Sequence, residues 1–173
     1  LQQEAAKALN FSTQKTMRIA QQLYEGVDID GHGTIGIITY LRTDSTRVAA
    51  EADVSAREYI KNNYGVDYYC PIDNKKENDK KIQDAHEAIR PTDIELTPAK
   101  IKDSLARDQF RLYQLIWKRF AASRMQPARY ETTTAKITVG GHHFSSSSSR
   151  LVFDGFMSVY AEAVEEKEEN NSM

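Results

Sequence analysis

Apolar positions recur every three to four residues in several stretches of the chain, and this period marks the helices. Leu1, Ala5, Ala8 and Leu9 share one side of a helix over 1–9. Thr16, Ile19, Ala20, Leu23 and Tyr24 line the inner face of a second helix over roughly 13–25, which Ser12 can cap and Gly26 can end. A third helix covers roughly 49–63 and stops near Gly65. Thr97-Pro98 places a cap before a proline at the first helical position. The longest helix spans roughly 108–125, with Leu112, Leu115, Ile116 and Phe120 as its buried stripe and Trp117 beside it.

Between the helices the period changes. Residues 28–36 are glycine-rich and predict a loop or tight hairpin. The apolar run Ile37-Ile38-Thr39-Tyr40-Leu41 predicts a short strand, broken by the polar run Arg42 to Arg47. Residues 66–84 read as irregular, with a charged stretch from Asp73 to Lys81. Asp84 to Pro91 predicts one helical turn, closed where Pro91 pushes Arg90 out of the helical region. After Pro127 the run Tyr130 to Val139 is β-rich and turns at Gly140-Gly141. Leu151-Val152-Phe153 and Met157 to Tyr160 predict further short strands, with Ser145 to Ser149 as a polar loop and Glu162 to Glu169 as a solvated end. The fold class is α+β, mainly α. A helical domain with a short β segment covers 1–126, and 127–173 begins a β-rich element too small to bury a core alone.

Composition narrows the function classes. Hydrophobic residues make up 40% and charged residues 28%, as in a globular domain. No apolar run approaches the ~20 residues of a membrane helix. Cys70 is the single cysteine, so an internal disulfide and a cysteine-built zinc site are both excluded, and a reducing cytoplasm is the natural compartment. The chain starts at Leu1 and ends on a polar run, which reads as a segment of a longer protein. The formal net charge is −2; residues 1–126 carry 19 Lys and Arg against 18 Asp and Glu. A free-standing nucleic-acid-binding domain is usually far more basic. Any contact with a polyanion must use a local patch, or rely on charge supplied by other domains.

Two constellations can carry chemistry. In Thr39-Tyr40-Leu41-Arg42-Thr43-Asp44-Ser45, Tyr40 and Arg42 fall on one face of a strand. A phenol can attack phosphorus, and a guanidinium grips phosphate oxygens in a fork. On spacing alone the ordinary reading is packing for one of nine tyrosines, and helix capping for Thr-Asp-Ser. In Asp84-Ala85-His86-Glu87-Ala88-Ile89-Arg90-Pro91, His86 and Arg90 fall on one helical face and can both donate to phosphate, with Asp84 and Glu87 to orient them. The ordinary alternative is a surface turn with a local His–Glu contact. Weaker signals carry little: His142 and His143 point to opposite faces of a hairpin, and Asp28, Asp30 and Gly31 resemble a calcium loop that has Thr39 at its closing position.

Residues Ile38 to Arg47 resemble the active-site tyrosine motif I-T-Y-M-R-T-D-S of bacterial type IA DNA topoisomerases, with Leu41 at the methionine position. Asp84 to Thr92 resembles the A-H-E-A-I-R-P-[ST] block of the same family, and Leu1-Gln2-Gln3, Lys15-Thr16-Met17, Leu112 to Trp117 and Phe153 to Phe156 follow its order. The resemblance implies that 1–126 is the tyrosine domain of a toroidal enzyme and 127–173 the start of its returning β-rich arm. It implies that Tyr40 is the nucleophile on single-stranded DNA and Arg42 its catalytic partner, with His86 on the phosphate. Thr43, Asp44, Ser45, Arg47, Glu87 and Arg90 then bind or position the strand. It implies Mg²⁺ held outside this chain by a Toprim domain of the same polypeptide, since no matching acidic pattern is present here. The isolated segment is then expected to be inactive. A cytoplasmic location at the nucleoid follows. The competing readings are a non-catalytic single-stranded DNA-binding module and a structural interaction domain.

Overall fold

The computed structural model describes residues 1–70 and 86–161. Helix α1 (Gln2–Leu9) ends at Asn10, whose left-handed backbone (φ 58°) turns the chain into α2 (Thr13–Glu25). Asparagine tolerates that conformation better than most residues. The Ser12 hydroxyl accepts a hydrogen bond from the Lys15 N–H at 3.2 Å and so caps α2. Thr16, Ile19, Ala20 and Leu23 are buried at helical spacing. Tyr24, expected on the inner face, is instead 38% exposed. Beyond Gly26, strands β1 (Val27–Ile29) and β2 (Gly33–Ile35) form the tight antiparallel hairpin allowed by the glycine-rich sequence.

Helix α3 (Ala50–Asn63) buries Ala56, Tyr59 and Ile60. The short α4 (Pro98–Ile101) carries the expected Thr97 cap and N-terminal proline. Helix α5 (Arg107–Ser123) is central and packs against α1, α2 and α4. It buries Leu112, Tyr113, Ile116, Trp117, Phe120 and Ala121, while Leu115 is only partly covered. Two of its buried polar atoms hold the loop that precedes α4. The Trp117 indole donates to the Ile94 carbonyl at 2.9 Å, and the Tyr113 hydroxyl donates to the Leu96 carbonyl at 2.6 Å. Burial first, and the charge of Asp93 second, push the Tyr113 phenol up, so it stays a neutral donor. This loop leads back to residues 86–92, so α5 indirectly fixes the height of that segment.

The C-terminal β structure departs from expectation. Strands β3 (Arg129–Val139) and β4 (His142–Phe153) make one long antiparallel ribbon turned by Gly140 and Gly141, both at positive φ. Ser145 to Ser149 is not a loop but the middle of β4, paired with Thr132 to Lys136. The ribbon is exposed on both faces, and serine and threonine pair across its middle. Thr132 pairs with Ser149 at 2.7 Å and Thr134 with Ser147 at 2.9 Å. Leu151 to Phe153 is the end of this strand rather than a separate one. Met157 to Tyr160, expected as a strand, is helical: a 3-10 turn (Gly155–Met157) runs into residues 158–161. Gly155 dictates this, because its φ of 51° turns the chain and a Cβ there would strike the Gln126 and Pro127 carbonyls. Val159 is consequently fully buried. The charged stretch Asp73 to Lys81 and the acidic run Glu162 to Glu169 lie outside the described residues. The architecture is α+β, mainly α, as expected.

Candidate active site

Two segments 50 residues apart in sequence, 36–49 and 86–92, are stitched together at the end of α2. Residues 37–41 do not form the expected strand. Ile38 makes a single antiparallel bridge to Pro91. Proline has no N–H to extend a ladder, so pairing stops there. Residues 86–91 are likewise not the expected helical turn but run non-helically beside 37–41. The Arg90 carbonyl accepts from the Thr39 N–H at 2.9 Å, and the Arg90 N–H donates to the Thr39 hydroxyl oxygen at 2.9 Å. The Thr39 hydroxyl in turn donates to the Ala88 carbonyl at 2.8 Å. The Thr92 N–H donates to Ile37 at 3.0 Å and the Ala88 N–H to Arg47 at 2.7 Å. Arg90 and Ala88 therefore spend their backbone groups across the gap rather than within a helix.

Helix α2 supplies the floor. Its Leu23 carbonyl, one of the unpaired groups at a helix C-terminus, accepts the Ile37 N–H at 2.9 Å. Gly36 makes this approach possible, because a Cβ there would collide with the Tyr24 carbonyl oxygen. Gly36→Ala is expected to destabilise the chain by about 1–3 kcal/mol, as overpacking does. Urea unfolding of the two proteins measures it.

On this base the side chains separate cleanly. Ile37, Ile38 and Leu41 are buried; Tyr40 is 40% exposed and Arg42 is exposed. The chain bends at Leu41 and Arg42, so the two exposed residues flank a buried one without a strand. The Tyr40 ring contacts two others. Tyr24 meets it edge to face with centroids 5.5 Å apart, and His86 stacks on it at 5.8 Å with 28° between planes. The Tyr40 hydroxyl and the Arg42 guanidinium make no hydrogen bond among the described residues. Thr43 and Ser45 are occupied with local turns: the Thr43 hydroxyl accepts from Ser45 N–H and the Ser45 hydroxyl from Arg47 N–H. Asp44 and Arg47 are exposed. A cleft of about 520 Å³ opens beside residues 43–46, walled by Ala8 of α1 and by Ile116 and Arg119 of α5.

Of the residues expected at a phosphate site, Tyr40 and His86 come together, and the exposed Arg42 follows Tyr40 closely in the chain. Arg90 does not present its charge there. Its guanidinium is committed in a fork to Glu87, with Nε donating to Oε2 at 3.0 Å and one terminal nitrogen to Oε1 at 2.9 Å. The helical face expected to join His86 and Arg90 does not exist. Asp84 lies outside the described residues. Sequence reading missed Thr39 as the stitch and Tyr24 as a ring partner. An aromatic residue in the last turn of a helix, one position off the buried stripe, was the available signal.

Glu87 is the hub of the second segment. Besides Arg90 it accepts the Ala49 N–H at 3.2 Å, just before α3. Burial pushes the Glu87 carboxyl up, but the hydrogen bonds from Arg90 and Ala49 and the charges of Arg90 and Arg47 outweigh it, and the net shift is down. A folded-state value below the unfolded one stabilises the fold above the ordinary glutamate value of 4.5 and loses that contribution as pH falls through the lowered value. Glu87→Gln is expected to cost about 1.5–3 kcal/mol at neutral pH, the range for hydrogen bonds to charged groups. Thermal unfolding of both proteins between about pH 6 and about pH 3 should show that difference shrinking with acid.

Among the described residues no group of three or more His, Cys, Asp or Glu side chains is placed to hold a metal ion. No described helix is long and apolar enough to cross a membrane.

A family model described as DNA topoisomerase matches residues 1–173. The solved full-length topoisomerase I of Thermotoga maritima is 44% identical and superposes with a TM-score of 0.77 over 92% of this chain. The chain spans 25% of the length of that protein. An exposed tyrosine pinned between two cross-linked segments thus sits within a match that runs the whole length of the sequence, and the chain belongs to the type IA DNA topoisomerase family.

Proposed function

We propose that this chain carries the nucleophile of a type IA topoisomerase and that Tyr40 is that nucleophile. The observation that carries the reading is the Tyr40 phenol: exposed, without a hydrogen bond among the described residues, and on a segment whose backbone is held by both α2 and residues 88–92. The Tyr40 oxygen attacks a backbone phosphorus of single-stranded DNA and loses its proton. The bond from phosphorus to the 3′ oxygen breaks, and that oxygen leaves as a free hydroxyl after taking up a proton. One phosphate ester replaces another, so the break stores its own resealing energy and needs no ATP. Arg42 neutralises charge on the phosphoryl oxygens, and His86 donates to the same phosphate or its neighbour. Thr43, Asp44, Ser45 and Arg47 form the edge along which the strand lies. Glu87 and Arg90 act as a brace beneath His86 rather than as strand contacts.

In this reading residues 1–126 are the tyrosine domain and 127–173 begin a β-rich arm. The intact protein relaxes negative supercoils in the cytoplasm, with Mg²⁺ held by acidic residues of a Toprim domain outside this chain. The tyrosine domain swings away to let a strand pass, a gating motion.

The test is to trap the intermediate in the intact enzyme with single-stranded DNA, digest it, and sequence the peptide linked to DNA. The nucleotide is expected on the peptide containing Tyr40, as a 5′-phosphotyrosine. Linkage to another tyrosine, or to none, would sink the assignment.

A further inference from the structure

We propose that Tyr24 is a positioning residue for the Tyr40 nucleophile, a role that rests on the reading of Tyr40 above. Four observations converge on it. Tyr24 lies in the last turn of α2, outside the buried stripe of Thr16, Ile19, Ala20 and Leu23, and 38% of it is exposed. It is therefore not there to fill the core. Its hydroxyl makes no hydrogen bond among the described residues, so the ring is the working part. That ring meets the Tyr40 ring edge to face at 5.5 Å, a second ring contact besides the stacked His86. Its backbone carbonyl is the surface on which Gly36 rests, and the neighbouring Leu23 carbonyl takes the Ile37 N–H at 2.9 Å. Tyr24 thus lies against both the point where the chain enters the Tyr40 segment and the phenol ring itself.

The physical need is plain. A half-exposed tyrosine has three staggered wells about its first torsion, and only one can present oxygen in line with a given phosphorus. His86 restrains the Tyr40 ring from one side. Tyr24 adds a T-shaped contact, whose preference amounts to roughly a 3- to 10-fold bias in population. Among the described residues the Tyr40 oxygen has no hydrogen-bond partner.

The experiment measures single-turnover formation of the covalent adduct by the intact enzyme, using 3′-labelled single-stranded DNA over a range of concentrations. Tyr24→Leu removes the aromatic edge and keeps the bulk. It is expected to lower the rate at saturating DNA by roughly 3- to 10-fold and leave the half-saturating DNA concentration unchanged. Tyr24→Phe keeps the ring and is expected to restore the wild-type rate. A wild-type rate for Tyr24→Leu, an equal loss in Tyr24→Phe, or a defect confined to DNA affinity would each overturn the proposal. Tyr24→Met is the second replacement, with folding judged by circular dichroism; if neither it nor the leucine variant folds, Tyr24 is a stability residue and the proposal falls. Tyr40→Phe is run alongside. Adduct formation there would overturn the nucleophile assignment itself, a result distinct from failure of the Tyr24 role.

Discussion

Tyr40→Phe in the intact enzyme is expected to abolish the covalent DNA adduct while leaving the fold and non-covalent DNA binding in place. The substitution removes one oxygen. That oxygen has no internal hydrogen-bond partner among the described residues, and the ring contacts to Tyr24 and His86 do not depend on it. Surface changes of this kind usually move stability by no more than about 0.5 kcal/mol. The chemistry has no such tolerance, because a phenyl ring has no lone pair to offer phosphorus. Denaturing electrophoresis with 3′-labelled DNA reads the outcome, since a 5′-phosphotyrosine retains the label. Phenylalanine at the other eight tyrosines should leave the adduct intact. An adduct at near wild-type yield from the Tyr40→Phe protein would remove the basis of the proposed mechanism.

Arg42→Ala is expected to slow cleavage by about 10²–10³-fold without abolishing it, the usual effect of deleting one preorganised donor to a developing anion. Arg42 is exposed and bound to nothing among the described residues, so the loss is not a folding defect. Arg42→Lys separates charge from shape: lysine keeps the cation but not the two-pronged fork, and should recover only part of the rate. The measurement is the single-turnover cleavage rate at saturating DNA. An unchanged rate in Arg42→Ala would move the burden of charge neutralisation to groups outside this chain.

The helices were legible because their ends are written in local chemistry. Ser12, Gly26 and the Thr97-Pro98 pair mark boundaries that the structure keeps. Two of the errors share a cause: each concerned a segment whose partner is far away in sequence. Ile37 to Leu41 has strand composition, but its neighbour offers Pro91 and ends the pairing after one bridge. Asp84 to Pro91 has helical spacing, but over 86–91 its backbone is claimed by Thr39 and Ile37. The serine run in β4 has loop composition and is held by the threonines opposite. For the candidate site, the two motifs stood out separately. That Tyr40 and His86 stack, that Arg90 is diverted to Glu87, and that Tyr24 completes the ring array are facts of tertiary packing, which no spacing along the chain encodes.

The stitch between Thr39 and Arg90, 51 residues apart, also sets an order of events. The Tyr40 segment has no ladder or helical turn of its own to hold it, so it cannot take shape when it is made. Closing a loop of that length costs roughly 3–4 kcal/mol of chain entropy, which only the completed set of cross-links and the packed α5 can offset. A growing polypeptide therefore presents Tyr40 on an unshaped strand until Pro91 and the helix beyond it have been synthesised. The Tyr40 phenol acquires its orientation among the last steps of folding, and, on the function proposed above, nascent chains halted before that point would carry the nucleophile without the geometry that lets it cut DNA.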